Sequence, residues 1–183
     1  MILLGVTGSI AAYKAVEISR LLIKAGESVH VVMTPSAVQF IGPLTFRAIT
    51  GNPVFSDPLD PQAYQMAHLA LAEKASAILV APATAETLSN LARGGAGDLI
   101  TAVVLAAPRR AKGVLKTPVY IAPAMHTSMW LHPATRSNVK VLQGYGYRFI
   151  GPETGALGRA GDLGAGRMSE PAVIVQHILR ARP

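Results

Sequence analysis

Ile2-Leu3-Leu4-Gly5-Val6-Thr7-Gly8-Ser9 opens the chain with an unbroken apolar run that ends in a small, hydroxylated triplet. Such a run fits a strand covered on both faces, as in a parallel sheet. Ala12, Ala15, Val16, Ile18, Leu21 and Leu22 then recur at helical spacing on one broad face, and Gly26 supplies the stop. Val29-His30-Val31-Val32-Met33 is a second strand, closed by Thr34-Pro35-Ser36. Strand, tight turn, helix, strand is the opening of a nucleotide-binding α/β unit.

Working outward, Pro43 to Thr50 reads as a short helix, and Gly51 to Tyr64, rich in Pro and Asp, as an irregular excursion. Ala77 to Ala81 is a third strand. The Thr87, Leu88, Leu91, Ala92 pattern after it is a helix with Thr84 as N-cap. Asp98 opens a further helix, Leu99 to Ala107. Val119 to Ala122 and Tyr147 to Ile150 are the fourth and fifth strands, with Asn138 to Gln143 in a helix between them. Gly151 to Gly166 holds too much glycine for a packed element and reads as a mobile flap. Pro171 to Arg180 closes the chain as a helix. The expectation is one α/β domain over residues 1–183, a parallel sheet with helices on both faces.

Composition bounds the function. Half of the 183 residues are apolar and 15% charged, yet no apolar run reaches the roughly 18–20 residues that span a bilayer. No membrane association is expected. The formal charge is +7, but the cations are scattered, Arg109, Arg110, Lys112 and Lys116 being the densest group, and only 5% of residues are aromatic. A nucleic-acid interface would show a basic stripe interleaved with aromatics, so none is expected. The charge is either a general attraction for phosphorylated ligands or a solvated basic surface. With no cysteine, disulfides, thiolate metal sites and any catalytic protein thiol are excluded, and no metal is expected. Met1 to Val6 lacks the charged n-region of a signal peptide, which points to the cytoplasm.

Thr7-Gly8-Ser9, Thr34-Pro35-Ser36 and Pro82-Ala83-Thr84 all stand at strand ends. Hydroxyls and free amides at helix starts suit an anion, because the orphan N–H groups and the helix dipole both favour it. The same triplets also serve ordinary capping. No Gly-x-Gly-x-x-Gly and no Walker loop is present, so the phosphate expected is that of a mononucleotide. Pro123-Ala124-Met125-His126-Thr127-Ser128-Met129-Trp130 follows the fourth strand and holds the only tryptophan with two of the six methionines. It is either a wall for a flat ligand or a proline-broken turn whose Met and Trp pack into the core.

Taken together, these segments resemble the homo-oligomeric flavin-containing cysteine decarboxylases over nearly the whole chain. Gly8-Ser9-Ile10-Ala11-Ala12-Tyr13-Lys14 looks like that family's opening turn. Pro82-Ala83-Thr84-Ala85-Glu86-Thr87 is similar to its flavin-contact motif, with Thr for Ser and Glu for Asn. Pro123 to Trp130 matches its Pro-x-Met-Asn-x-x-Met-Trp motif except for His126 in the Asn position, and Gly164 to Pro171 is similar to the segment closing its substrate flap. The nearest branch is that of the phosphopantothenoylcysteine decarboxylases of coenzyme A biosynthesis.

The resemblance implies a Rossmann-like or flavodoxin-like sheet, bound FMN, and trimers assembled into a dodecamer with FMN at subunit contacts. It implies oxidation of a substrate cysteinyl thiol to a thioaldehyde, loss of CO₂ and an enethiol product. The enethiol is reduced again in the coenzyme A branch and released in peptide-modifying relatives, whose substrate is a C-terminal cysteine. A non-catalytic FMN-binding regulatory subunit is the reading from another class. By position, His68 is the catalytic base. His126, Met129, Trp130, Arg167 and Met168 bind substrate, His126 holding its carboxylate. Gly8, Ser9, Ile10, Thr34 and Ser36 hold FMN, with Pro82, Ala83, Thr84, Ala85, Glu86, Thr87, Ala124 and Met125. The flap covers about 151–168, and Ala160 stands where relatives carry a proton-donating cysteine. Glu86 would be unfavourable beside a flavin ring if buried without a partner. Asp98 is expected to cap its helix.

Overall fold

A computed structural model describes residues 1–56, 67–159 and 161–180. Its centre is a six-stranded, all-parallel sheet: β1 (Ile2–Val6), β2 (Val29–Met33), β3 (Val54–Phe55), β4 (Ala77–Ala83), β5 (Val119–Pro123) and β6 (Arg148–Phe149). The spatial order is β3-β2-β1-β4-β5-β6. This is the doubly wound Rossmann order, whose direction of winding reverses between β1 and β4. The crossovers carry α1 (Ala12–Lys24), α2 (Pro35–Val38), α3 (Pro43–Thr50), α4 (Ala67–Lys74), α5 (Ala85–Ala92), α6 (Leu99–Leu105), α7 (Thr127–Leu131) and α8 (Pro133–Gly144), and α9 (Pro171–Arg180) follows the last strand.

Strand alternation explains why both sheet faces are covered. Ile2, Leu4 and Val6 join Leu79 and Tyr120 on one face, under Ala15, Ile18 and Leu22 of α1, Phe46 of α3 and Ile174 and Ile178 of α9. Leu3, Ile78, Val80 and Ile121 face the other way, under Leu88 of α5, Val103 of α6 and Leu142 of α8. Gly5 sits beneath Ile100, so α6 packs close to the sheet where a larger residue would lift it. Among the described residues no helix is long and apolar enough to cross a membrane.

Several elements differ from expectation. The third strand runs on to Ala83 and the fourth to Pro123, while the last sheet strand shrinks to Arg148–Phe149. β3, α2 and α4 were invisible to periodicity. The first two are only two and four residues long, and α4 has apolar residues on all sides. The remainder of the Gly51–Tyr64 excursion, from 57 onward, lies outside the described residues. The described residues of 151–168 contain packed elements where the glycine content suggested none: an antiparallel hairpin of β7 (Glu153–Ala156) and β8 (Leu163–Arg167), with Gly155 opposite Gly164. Here glycine serves close packing: a Cβ on Gly164 would overlap the Thr127 hydroxyl, and one on Gly155 would press on the Arg167 side chain.

Of the two readings of Pro123–Trp130, core packing holds for Trp130 but not for Met129, which is exposed, and the segment is a short helix in place of a broken turn. Thr127–Leu131 is helical, and the His126 imidazole caps it by accepting the Ser128 N–H at 3.2 Å. Trp130 is buried among the β5, α5 and α8 side chains with the Arg136 guanidinium 4.9 Å from its ring centroid. Trp130→Phe should therefore lower stability by roughly 1–3 kcal/mol, read by chemical denaturation. A wild-type midpoint would show that the indole does not pack into the core.

Candidate active site

The carboxyl ends of β1, β2, β4 and β5 open into a cavity of about 1200 Å³ at the winding reversal. Its floor is stitched by Thr7, which is 1% exposed: its hydroxyl donates to the Pro82 carbonyl at 2.7 Å and accepts the Thr84 N–H at 3.1 Å. Ala124 N–H donates to the Ala83 carbonyl at 3.0 Å, which ties β5 to β4. Pro82 and Ala83 are thus buried backbone posts below the cavity and not part of its wall.

Gly8, Ser9 and Ile10 form one wall, with Ser9 Oγ accepting the Ala11 N–H at 3.2 Å ahead of α1. Thr34 and Ser36 face them, their hydroxyls 3.0 Å apart, and Thr34 caps α2 by accepting the Ala37 N–H at 3.2 Å. A Cβ on Gly8 would overlap Ser36 Oγ, so only glycine lets these two turns close into one cradle. On the β4 side Thr84 caps α5, accepting the Thr87 N–H at 3.2 Å, and its hydroxyl lies 3.0 Å from that of Thr87. Hydroxyls, turn amides and two helix starts converging on one hollow fit a phosphate ester.

Ala85, Glu86 and Thr87 continue that wall. Glu86 is exposed and accepts from Asn90 Nδ2 at 2.9 Å, so the cost of a buried unpaired carboxylate does not arise. It also stands in the first turn of α5, where a negative charge is favoured. Asp98 caps α6 in a reciprocal capping box with Thr101 and lines the cavity as well.

Ala124, Met125, His126 and Met129 make the opposite side. His126 Nδ1 accepts the Ser128 N–H, which leaves the ring proton on Nε2. Nε2 lies 3.6 Å from Asp162 Oδ2 on the hairpin connection. Arg167 and Met168 close the far end. The Arg167 guanidinium is bound to the Glu170 carboxylate, which also accepts from Lys14 Nζ at 3.1 Å, and Lys14 Nζ reaches the Met168 carbonyl at 3.1 Å. Met168 itself is 2% exposed and belongs mainly to the core.

His68 and Trp130 are not brought to this cavity. His68 is half-buried on α4, and Trp130 lies under α8. The position of Ala160 lies outside the described residues. Sequence reasoning passed over Tyr13, Lys14, Phe40, Arg159 and Asp162, all on the cavity wall. Lys14 was visible in the opening turn, but only its chain-reversing contacts with Met168 and Glu170 reveal what it does.

Hydrogen bonding from Lys14, aided by the charge of Arg167, holds the Glu170 carboxyl below its ordinary value. A depressed carboxylate contributes stability above its unfolded value, and the contribution disappears as pH falls through the folded one. Acid should therefore free Lys14, which is 8% exposed, and loosen α1 from the β8–α9 junction. Glu170→Gln should flatten this acid limb of the stability–pH curve. An unchanged limb, followed by denaturant midpoints from pH 7 down to pH 3, would refute the assignment.

The fold and this hollow define a mononucleotide-binding α/β protein of the doubly wound type. More narrowly, the chain belongs to the flavoprotein family, whose model matches residues 1–182. It is 44% identical over 180 residues to a probable phosphopantothenoylcysteine decarboxylase of Streptococcus mutans, covering 97% of this chain and 96% of that one. It is 45% identical over 174 residues to the coenzyme A biosynthesis bifunctional protein CoaBC of Haemophilus influenzae, covering 94% of this chain but 41% of that protein. Among solved structures, a PPC decarboxylase mutant complexed with pantothenoylaminoethenethiol superimposes with TM-score 0.84 at 27% identity, over 98% of this chain and 96% of that one. The FMN-dependent cysteine decarboxylase SpaF does so with TM-score 0.77 at 33% identity, over 98% and 95%.

Proposed function

We propose that the cavity holds FMN and that the chain decarboxylates a cysteinyl carboxylate, with 4'-phosphopantothenoylcysteine as substrate. The observation carrying this is one continuous hollow with an anion cradle at Gly8, Ser9, Thr34 and Ser36 and, opposite, an imidazole N–H at His126. When bound, the flavin supplies a two-electron acceptor for the substrate thiol, which makes the neighbouring carboxylate easy to lose as CO₂. Thr84, Ala85, Glu86, Thr87, Ala124 and Met125 would flank the cofactor, and His126 Nε2–H would orient the substrate carboxylate. Met129, 48% exposed, offers an apolar surface beside it.

His68 takes the thiol proton in this reading, and it does so in the cavity of a neighbouring copy, since it lies outside its own. Exposed Ile10, Tyr13 and Phe40 on the cavity rim support such self-association, as trimers within a dodecamer. The reaction belongs in the cytoplasm, without nucleic-acid or membrane partners, and residues 1–183 act as one domain.

A second reading, oxidative decarboxylation of a peptide's C-terminal cysteine, is favoured by one observation: the chain has no thiol with which to reprotonate an enethiol product. Anaerobic incubation of the FMN-loaded protein with each substrate separates the two. Loss of CO₂ with the oxidised flavin absorbance restored supports the first, and loss of CO₂ plus two hydrogens with lasting bleaching supports the second. Neither product, with flavin still bound, would instead favour a regulatory subunit.

A further inference from the structure

The hairpin carries a carboxylate of its own to the place where a substrate carboxylate is expected. Gly164 and Gly166 lie flush against the Met125–Thr127 segment. A Cβ on Gly166 would overlap the Met125 carbonyl, one on Gly164 the Thr127 hydroxyl, and Met125 N–H donates to the Gly166 carbonyl at 3.0 Å. Thr127 Oγ1 is buried at this contact, without a hydrogen-bond partner among the described residues. Immediately before β8, on the hairpin connection two residues ahead of Gly164, stands Asp162. Its backbone is fixed independently: Leu157 N–H donates to the Asp162 carbonyl at 3.0 Å, and Asp162 N–H to the Arg159 carbonyl at 3.1 Å. Its side chain is therefore free to meet the His126 Nε2–H, with 3.6 Å between Nε2 and Oδ2.

That separation is too long for a strong hydrogen bond, and the side chains are 51% and 33% exposed. The contact is weak, screened and exchangeable. Of the other charged groups on the same wall, Arg167 is engaged by Glu170, and among the described residues Asp162 forms its ion pair with His126.

We propose that Asp162 is a specificity-determining residue: a resident carboxylate at His126 that an incoming cysteinyl carboxylate must displace. Asp162 tunes the site against weak carboxylates, because a ligand has to exceed the contact already made there. The identity of the ligand rests on the function proposed above, whereas the exchange at His126 does not.

The probes are N-acetyl-S-methylcysteine, which shares the C-terminal cysteine carboxylate of both substrate classes but has no oxidisable thiol, and its C-terminal amide. Calorimetry on the FMN-loaded protein should show Asp162→Asn binding the carboxylate about 2- to 5-fold more tightly, with amide affinity unchanged. In a His126→Ala background the Asp162→Asn gain should vanish. Equal tightening of carboxylate and amide, or weaker carboxylate binding, would overturn the proposal. A second measurement needs no ligand affinity. Trypsin cleavage after the exposed Arg159 should be faster in Asp162→Asn and in His126→Ala than in wild type, and faster in wild type with millimolar carboxylate probe. Identical cleavage rates would also overturn it. Failure to turn over either substrate, with these responses intact, would fault the decarboxylase reading alone.

Discussion

His68→Asn is expected to lower turnover by about 10²–10⁴-fold while the purified protein keeps its full complement of FMN. Asparagine preserves the size and the hydrogen-bonding edge of the imidazole but cannot accept and release a proton near neutral pH. His68 sits half-buried on α4, away from the cavity of its own chain, so its removal should not disturb the cradle at Gly8 and Ser36. Mixing supplies the sharper measurement. If α4 of one copy serves the cavity of another, co-assembled His68→Asn and His126→Ala copies should recover activity that neither has alone. Full turnover by His68→Asn would remove the residue from the reaction. A mixture as inactive as its parents, with each still binding FMN, would confine His68 and His126 to the same copy's site.

Gly166→Ala should destabilise the protein by on the order of 4 kcal/mol, combining backbone strain with overpacking, and weaken flavin binding along with it. Gly166 has φ +127°, a conformation that L side chains rarely adopt. A Cβ there would also overlap the Met125 carbonyl oxygen, which is backbone and cannot swing aside. The shift would break the Met125 N–H to Gly166 carbonyl bond and pull β8 from the cavity wall formed by Met125 and His126. Gly161→Ala is the control: φ is +85° but nothing lies within 4 Å of the new methyl group, so only about 1 kcal/mol should be lost. Denaturant midpoints and FMN dissociation constants for the two variants measure the difference. Equal losses would show that strain, and not the Met125 contact, governs Gly166.

Much of the scaffold was legible because its signals are local. β2, α3 and α9 lie where apolar runs, Pro at a helix start and Gly at a helix end placed them. Thr84 and Asp98 cap α5 and α6 because a side chain that accepts an N–H three residues on can be recognised in the sequence. The hydroxyl triplets at the ends of β1, β2 and β4 could be assigned to one sheet edge, since all parallel strands end on the same side.

What stayed hidden depends on partners distant in sequence. Trp130 looked like a ligand wall because it neighbours His126 and Met129. His126 is the N-cap, outside the helix, and within Thr127–Leu131 successive residues are turned by about 100°, so Trp130 leaves the face of Met129 and joins the α8 packing. Glycine in 151–168 looked like freedom because its use, close approach to Thr127 and Arg167, involves residues met only through packing. Asp162 carried no signal at all until the hairpin set it against His126. The sequence by itself determined a parallel α/β sheet with helices on both faces and a hydroxyl-rich strand edge, because period, capping and turn chemistry act within a few residues, and its motifs carried the resemblance to the flavin-containing cysteine decarboxylases. Only the tertiary structure decided which side chains reach the cavity, sending Trp130 to the core, His68 away from its own site and Asp162 to His126, because side-chain direction is set by contacts across the whole chain.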